Sequence, residues 1–250
     1  HTRFQFAREC TAGLHSLAAQ VAYAAGEMGA AYSHTRAWCS LSPSSRGAWA
    51  VYSCLASHSR VRRSEERWAV RLLLREPDTS PAAAALATAI AHQCLISRSF
   101  DIAIAEYTKV GAAHPDEPLL PLCIGVAMLQ TVPSRRNAHK GHSALVGFSW
   151  LERYAAIRAA EGGADGAREA QYNLARAYHH LGLLHLAAPR YAQALLASPA
   201  PADTSTGGGS GAAGGAHDVS RECAHNLAAI LRASGSAELA RRVVRTYLTV

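Results

Sequence analysis

Histidines are the residues whose type and spacing could most readily do chemistry in this chain. Three of them, His179, His180 and His185, lie within the short stretch AYHHLGLLHLAAPRY. Zinc ligands on one helix need a spacing of three or four residues to share a face, whereas adjacent residues point about 100° apart. His185 follows Gly182, which we expect to end the helix, and no cysteine or carboxylate cluster lies nearby in sequence. The stretch therefore predicts packing and surface residues rather than a metal site.

Other patterns that resemble chemical sites also have simpler interpretations. The glycine spacing of GSGAAG, residues 209–214, matches a dinucleotide-binding loop, but no strand precedes it. It lies in a glycine-rich tract, which is typical of a flexible linker. The six cysteines include no Cys-X-X-Cys pair, and the few acidic residues are scattered. We therefore predict a protein that is not an enzyme and that needs no cofactor or metal.

The composition favours a helical protein. Among the 250 residues only 7% are aromatic, while alanine, leucine and arginine are abundant. The net charge of +7 permits contact with nucleic acid or with acidic proteins without indicating which. No apolar run approaches the ~20 residues that span a bilayer, so we expect no membrane segment. The separated cysteines predict reduced packing residues and an intracellular protein.

Internal repeats explain the histidine-rich stretch AYHHLGLLHLAAPRY, residues 177–191. Residues 170–199 predict two helices that are separated by Gly182 and end at Pro199. Small and large residues alternate on their facing sides in the order of the tetratricopeptide repeat, because small residues let two helices approach closely. The same pattern of small and large residues recurs elsewhere in the chain. In these copies the small residue of the second helix falls at Ala31, Ala103, Gly147, Ala187 and Ala240.

These anchors predict an all-α fold, an α/α superhelix of tetratricopeptide repeats. With a period of about 34 residues, residues 1–250 form a single array of about six helix pairs. A flexible glycine-rich insert at 201–218 separates the last two pairs. The expected repeats are residues 12–43, 46–77, 84–115, 118–160, 168–199 and 221–250.

The first helix of each pair is expected to line a concave groove that binds a partner. Such a groove would be apolar in the middle and basic toward the C-terminal end, which suits a peptide or helix with apolar anchors and acidic flanks. The alternative, that the leucines pack against neighbouring repeats, stays open. The expected partner-binding residues are His92, Leu122, Val126, Leu129, Tyr172, Arg176, His179, His225 and Arg232.

A basic insert offers a second kind of contact. Arg135, Arg136 and Lys140 lie in the predicted loop 131–142 and could contact phosphate groups, although they lack the interleaved aromatic residues of a single-strand platform. The alternative is a solvated loop. An array that binds nucleic acid through basic inserts is therefore one possible function.

Three stretches resemble one family more closely than the general repeat. PDEPL with CIG, GFSWLERY and YNLARAYHHLGLLHLA occur in the order seen in the C-terminal repeats of the tetratricopeptide subunit of general transcription factor IIIC. The resemblance covers residues 60–250. It implies a nuclear, non-enzymatic scaffold in RNA polymerase III transcription initiation. The implied partners are other factor IIIC subunits and components of factor IIIB, with DNA contacted indirectly through the complex. A tetratricopeptide adaptor in another nuclear or RNA-processing complex is the alternative.

Overall fold

The computed structural model describes residues 2–58, 68, 81–161, 163–196 and 218–248. Within these ranges every regular element is an α-helix, and none is a strand. The predicted all-α fold class is therefore confirmed. The predicted glycine-rich insert 201–218 lies outside the described residues except for Asp218, and so does most of the second half of the predicted repeat 46–77.

Residues 1–115 form one compact unit. Among the described helices, α1 packs on α2, α2 on α3, α3 on α4 and α4 on α5. Alanines make up much of the core of this unit, and one cluster buries Trp49 and Tyr52 beside Leu86. The described helices of this unit are α1 (Thr2–Ala24), α2 (Met28–Leu41), α3 (Arg46–His58), α4 (Pro81–Ile96) and α5 (Phe100–Ala113).

Residues 116–250 form a second compact unit with the same kind of packing. Again each helix contacts the next along the chain, from α6 through to α11. Contacts between neighbours in sequence are the mark of repeat architectures, in which each unit packs only on adjacent units. The described helices are α6 (Leu119–Thr131), α7 (Lys140–Ala160), α8 (Ala164–His180), α9 (Leu184–Leu196), α10 (Ser220–Ala233) and α11 (Ala237–Tyr247).

Four helix hairpins share one turn geometry. Gly26, Gly182 and Gly235 have φ angles of 79°, 74° and 82°, and Arg98 adopts the same left-handed conformation with φ of 64°. The residue after each of them donates its N–H to a carbonyl five residues back, as Leu183 does to Tyr178 at 2.9 Å. This is the Schellman arrangement, which satisfies carbonyl groups at a helix C-terminus. The predicted helix break at Gly182 is confirmed.

Arg98 stands where the other three turns have glycine, and this predicts opposite effects of two substitutions. Replacing Arg98 with glycine should raise the free energy of unfolding by about 1 kcal/mol, because a side chain with a Cβ is strained in the left-handed region. Replacing Gly182 with alanine should lower it by about the same amount. Urea unfolding followed by circular dichroism measures both. A destabilised Arg98→Gly variant would mean that the arginine side chain contributes more than the turn strain costs.

Small residues lie where paired helices cross most closely. All five of the predicted small residues, at 31, 103, 147, 187 and 240, are buried. Helices α6 and α7 approach each other closely at one such crossing. A Cβ on Gly125 would lie 2.9 Å from the carbonyl oxygen of Gly147 and 2.8 Å from Cγ of Leu151. The two helices therefore keep this distance only with glycine at the crossing.

Candidate partner-binding surface

Helices α8 and α10 are equivalent when they are aligned on the glycine of their turns, Gly182 and Gly235. The alignment pairs buried Leu174 with Leu227 and buried Ala175 with Ala228. The opposite side of each helix carries polar and aromatic residues that are exposed or half-buried. We name this side the α8–α10 face, which consists of the pairs Tyr172 and His225, Asn173 and Asn226, and His179 and Arg232, together with Arg176.

Tyr191 of α9 contacts residues of the α8–α10 face from the interior of the protein. Its side chain is fully buried, and its ring centroid lies 6.1 Å from that of Tyr172 and 6.0 Å from that of His179. Its hydroxyl lies 3.4 Å from Nδ1 of His179 and is also hydrogen-bonded by the Asn226 side chain. Burial is the main cause that raises the pKa of Tyr191 to about 12, so the hydroxyl stays protonated near neutral pH. One buried tyrosine therefore joins residues of α8 and α10.

Arg176 lies over the ring of Tyr172. The guanidinium carbon is 5.6 Å from the ring centroid, within the range of a cation–π contact. Burial raises the pKa of the Tyr172 hydroxyl, with the Arg176 charge opposing that shift and the Glu222 charge adding to it. Tyr172 is half-buried while Arg176 is exposed. The exposed guanidinium of Arg176 therefore lies on the aromatic ring of Tyr172.

A polar network between α7 and α8 holds the acidic residue next to the face. Nη2 of Arg158 donates to Glu169 at 2.8 Å, and the hydroxyl of Tyr154 donates to the same carboxylate at 2.8 Å. Asn173 donates its amide N–H to the hydroxyl of Tyr154 at 3.0 Å. Burial is the largest cause that raises the pKa of Tyr154. Glu169 is therefore held by a cation and a neutral hydroxyl, and Asn173 is held in place above them.

The remaining residues of the predicted groove lie partly in the packed interior. Leu129 is only 2% exposed and contacts the α7 helix at Gly147, so it is not accessible to a partner. Leu122 and Val126 are half-buried and pack against the cluster that contains Leu129. His92 is half-buried in the other compact unit and hydrogen-bonds the Tyr107 hydroxyl. Burial lowers the pKa of His92, which favours the neutral ring.

The basic side chains predicted to contact nucleic acid are solvent-exposed. Arg135 and Arg136 lie in the loop between α6 and α7, and Lys140 is the first residue of α7. Asn137 closes this loop, since its amide nitrogen lies 3.3 Å from the carbonyl oxygen of Thr131 and 3.0 Å from the Ser143 hydroxyl. The nucleic-acid contact stays a prediction.

Sequence reasoning missed Asn173 and Asn226. The two asparagines are separated by the insert 201–218, and the repeat pattern depends on small and apolar residues, which do not include these polar positions. Aligning the helices on Gly182 and Gly235 would have revealed both, since each lies nine residues before its glycine. Each hydrogen-bonds a tyrosine of the preceding helix, Tyr154 or Tyr191.

The cysteines and histidines of the described residues are the first candidates for catalysis or metal binding. Burial raises the pKa values of the Cys39 and Cys223 thiols to about 12, so these cysteines are not thiolates near neutral pH. His180 and His185 are exposed, while His179 contacts Tyr191. Among the described residues no group of three or more His, Cys, Asp or Glu could hold a metal, and no helix is suited to crossing a membrane.

Helix hairpins that pack on their neighbours along the chain are typical of helical-repeat proteins, and this chain has that architecture in its described residues. The chain is 32% identical over 203 residues to human "General transcription factor 3C polypeptide 3". The aligned residues cover 81% of this chain and 21% of the human protein. The chain is 33% identical over 157 residues to "Transcription factor tau subunit sfc4" of Schizosaccharomyces pombe, covering 63% of this chain and 16% of that protein. The chain is therefore homologous to a part of the transcription factor IIIC subunit 3 and tau subunit family, and the resemblance found in the sequence is confirmed.

The homology concerns a limited part of the relatives. The chain spans about a fifth of the human protein's length, and less of "Transcription factor tau 131 kDa subunit" of Saccharomyces cerevisiae, which is 27% identical over 62% of this chain and 14% of that protein. No protein-family model matches the chain. Among solved structures, BtubC from P. vanneervenii covers 96% of this chain and 89% of its own, at 14% identity and a TM-score of 0.47.

Proposed function

We propose that this chain is a protein–protein interaction scaffold within a subunit of transcription factor IIIC. In this function it acts in the nucleus during RNA polymerase III transcription initiation, without catalytic activity. It contributes to assembly with other subunits of its own complex and to the recruitment of factor IIIB. The observation that carries the proposal is the 32% identity to the human factor 3C polypeptide over 81% of the chain.

The physical character of the described residues supports this role. Within each compact unit the described helices pack on their neighbours along the chain, as is usual in repeat scaffolds that bind other proteins. The ionisable groups are scattered or paired with each other, as Arg158 is with Glu169. The two cysteine thiols with the largest pKa shifts are protonated near neutral pH. These features favour binding over catalysis.

Affinity purification tests the proposal. The full-length protein that contains this chain, tagged and expressed in its own cells, should recover the other factor IIIC subunits and components of factor IIIB, measured by quantitative mass spectrometry against an untagged strain. Loss of all factor IIIC subunits from the purified material would contradict the proposal. Recovery of those subunits with no factor IIIB component would contradict the recruitment role and support the assembly role alone.

A further inference from the structure

The α8–α10 face has the chemistry of a peptide-binding surface. We propose that it binds an extended acidic segment of a partner protein. Arg176 and Arg232 would pair with carboxylates of the segment, and Asn173 and Asn226 would bond its backbone. The inference rests on the proposed scaffold function and specifies the kind of partner at one site.

The charge of the face favours an acidic partner. Arg176 and Arg232 are exposed, and in the part of the chain that the structure describes neither has a carboxylate within 4.0 Å. Of the two equivalent glutamates, Glu169 is already bonded by Arg158 and Tyr154. Glu222 is the exposed acid beside the face. With Arg176 and Arg232 lacking a carboxylate partner among the described residues and Glu169 already bonded, the surface attracts negative side chains and disfavours basic ones.

The position of Arg176 reduces the entropic cost of binding a carboxylate. Its guanidinium lies over the Tyr172 ring, and Tyr172 itself packs against buried Tyr191. A guanidinium held against an aromatic ring loses less side-chain freedom when its planar N–H groups donate two hydrogen bonds to a carboxylate. Exposed loop arginines, such as Arg135 and Arg136, would first have to lose their side-chain freedom.

The two asparagines suit the backbone of an extended peptide. An amide side chain carries both a donor and an acceptor, which match the N–H and C=O groups of an extended backbone. Asn173 and Asn226 occupy equivalent positions, each hydrogen-bonded to a tyrosine of the preceding helix. The tyrosine of the face, Tyr172, is half-buried and lies beneath Arg176, so its ring is not open for a base to stack on.

Selection from a random peptide library tests the inference. The 250-residue chain would be used to select from displayed peptides of about twelve residues, which extend to roughly 40 Å and can cross two neighbouring helices. The peptides enriched by the wild-type chain should carry a net negative charge. The double variant Arg176→Glu and Arg232→Glu should lose this enrichment, and should bind one selected acidic peptide at least about tenfold more weakly in fluorescence anisotropy.

The matched control is the double variant Arg135→Glu and Arg136→Glu, which makes the same change in charge away from the face. It should select the same peptides as the wild-type chain, and the circular dichroism of both double variants should match the wild type. Enriched peptides without negative charge would overturn the inference, and so would an equal loss in the two variants. Single-stranded RNA or DNA binding that is lost only in the Arg176 and Arg232 variant would also overturn it, because the face would then bind nucleic acid.

This outcome is independent of the purification experiment. A chain that selects no acidic peptides while the full-length protein still recovers factor IIIC subunits would refute the acidic-segment site and leave the scaffold function intact. Selection of acidic peptides by a protein that recovers no factor IIIC subunit would do the reverse.

Discussion

Replacing Gly125 with alanine should lower the free energy of unfolding by about 2 kcal/mol. The added Cβ would lie 2.9 Å from the carbonyl oxygen of Gly147 and within 2.9 Å of two carbon atoms of Leu151. The leucine can rotate, but the backbone carbonyl can move away only if α6 and α7 separate. Urea unfolding of the 250-residue chain, followed by circular dichroism, measures the change. Replacing Gly147 with alanine should have a similar effect, through Leu129 at 2.8 Å.

Gly141 provides the control within the same helix as Gly147. A Cβ there would meet no atom within 4 Å. Alanine at this position should raise the free energy of unfolding by up to about 1 kcal/mol, because glycine is a poor helix former. If alanine at 125 or 147 were as well tolerated as alanine at 141, the close crossing of α6 and α7 would be contradicted.

Replacing Tyr191 with alanine should lower the free energy of unfolding by about 4 kcal/mol, as expected for a large aromatic side chain removed from a core. Tyr191 is fully buried in a cluster with Ala187, Cys223 and Leu227. The substitution leaves a cavity between α9 and α10 and removes the support of the α8–α10 face. The same unfolding measurement tests it, and the loss of near-ultraviolet circular dichroism would report the local disorder of the remaining tyrosines.

Phenylalanine at the same position separates the ring from its hydroxyl. Tyr191→Phe keeps the volume of the side chain and removes only the hydrogen bonds with His179 and Asn226. It should lower the free energy of unfolding by about 1 kcal/mol. Equal losses in the alanine and phenylalanine variants would contradict the view that ring packing, rather than the hydroxyl, supports this part of the molecule.

Much of the local architecture was predictable because it depends on patterns a few residues long. Gly182 marked a helix end because only glycine adopts the left-handed turn without strain. The buried small residues, from Ala31 to Ala240, were found because close helix crossings tolerate no larger side chain. Arg98 escaped prediction, since an arginine gives no local sign of a left-handed conformation. The packing of α4 on α5 holds it there, together with the Ser99 N–H bond to Cys94 at 2.8 Å.

The candidate site was only partly predictable, because helical periodicity indicates which way a side chain points from its helix but not how deeply it is buried. Periodicity placed Leu129 among the groove residues, but the missing side chain of Gly147 leaves room for Leu129 to enter the core. Arg176 was correctly placed on an exposed position of its helix. Its contact with the Tyr172 ring, which packs against Tyr191 of another helix, depends on tertiary packing.

The sequence by itself determined the helical class, the positions of most turns, the small residues at the crossings and the family that the chain resembles. These depend on local conformational preference and on residue order, both of which are present in the unfolded chain. The tertiary structure alone decided which residues of the first helices are accessible and which are buried. It also decided that Asn226 of α10 and His179 of α8 meet at the Tyr191 hydroxyl. Contacts of this kind depend on how three helices pack together, and no spacing within one helix specifies them.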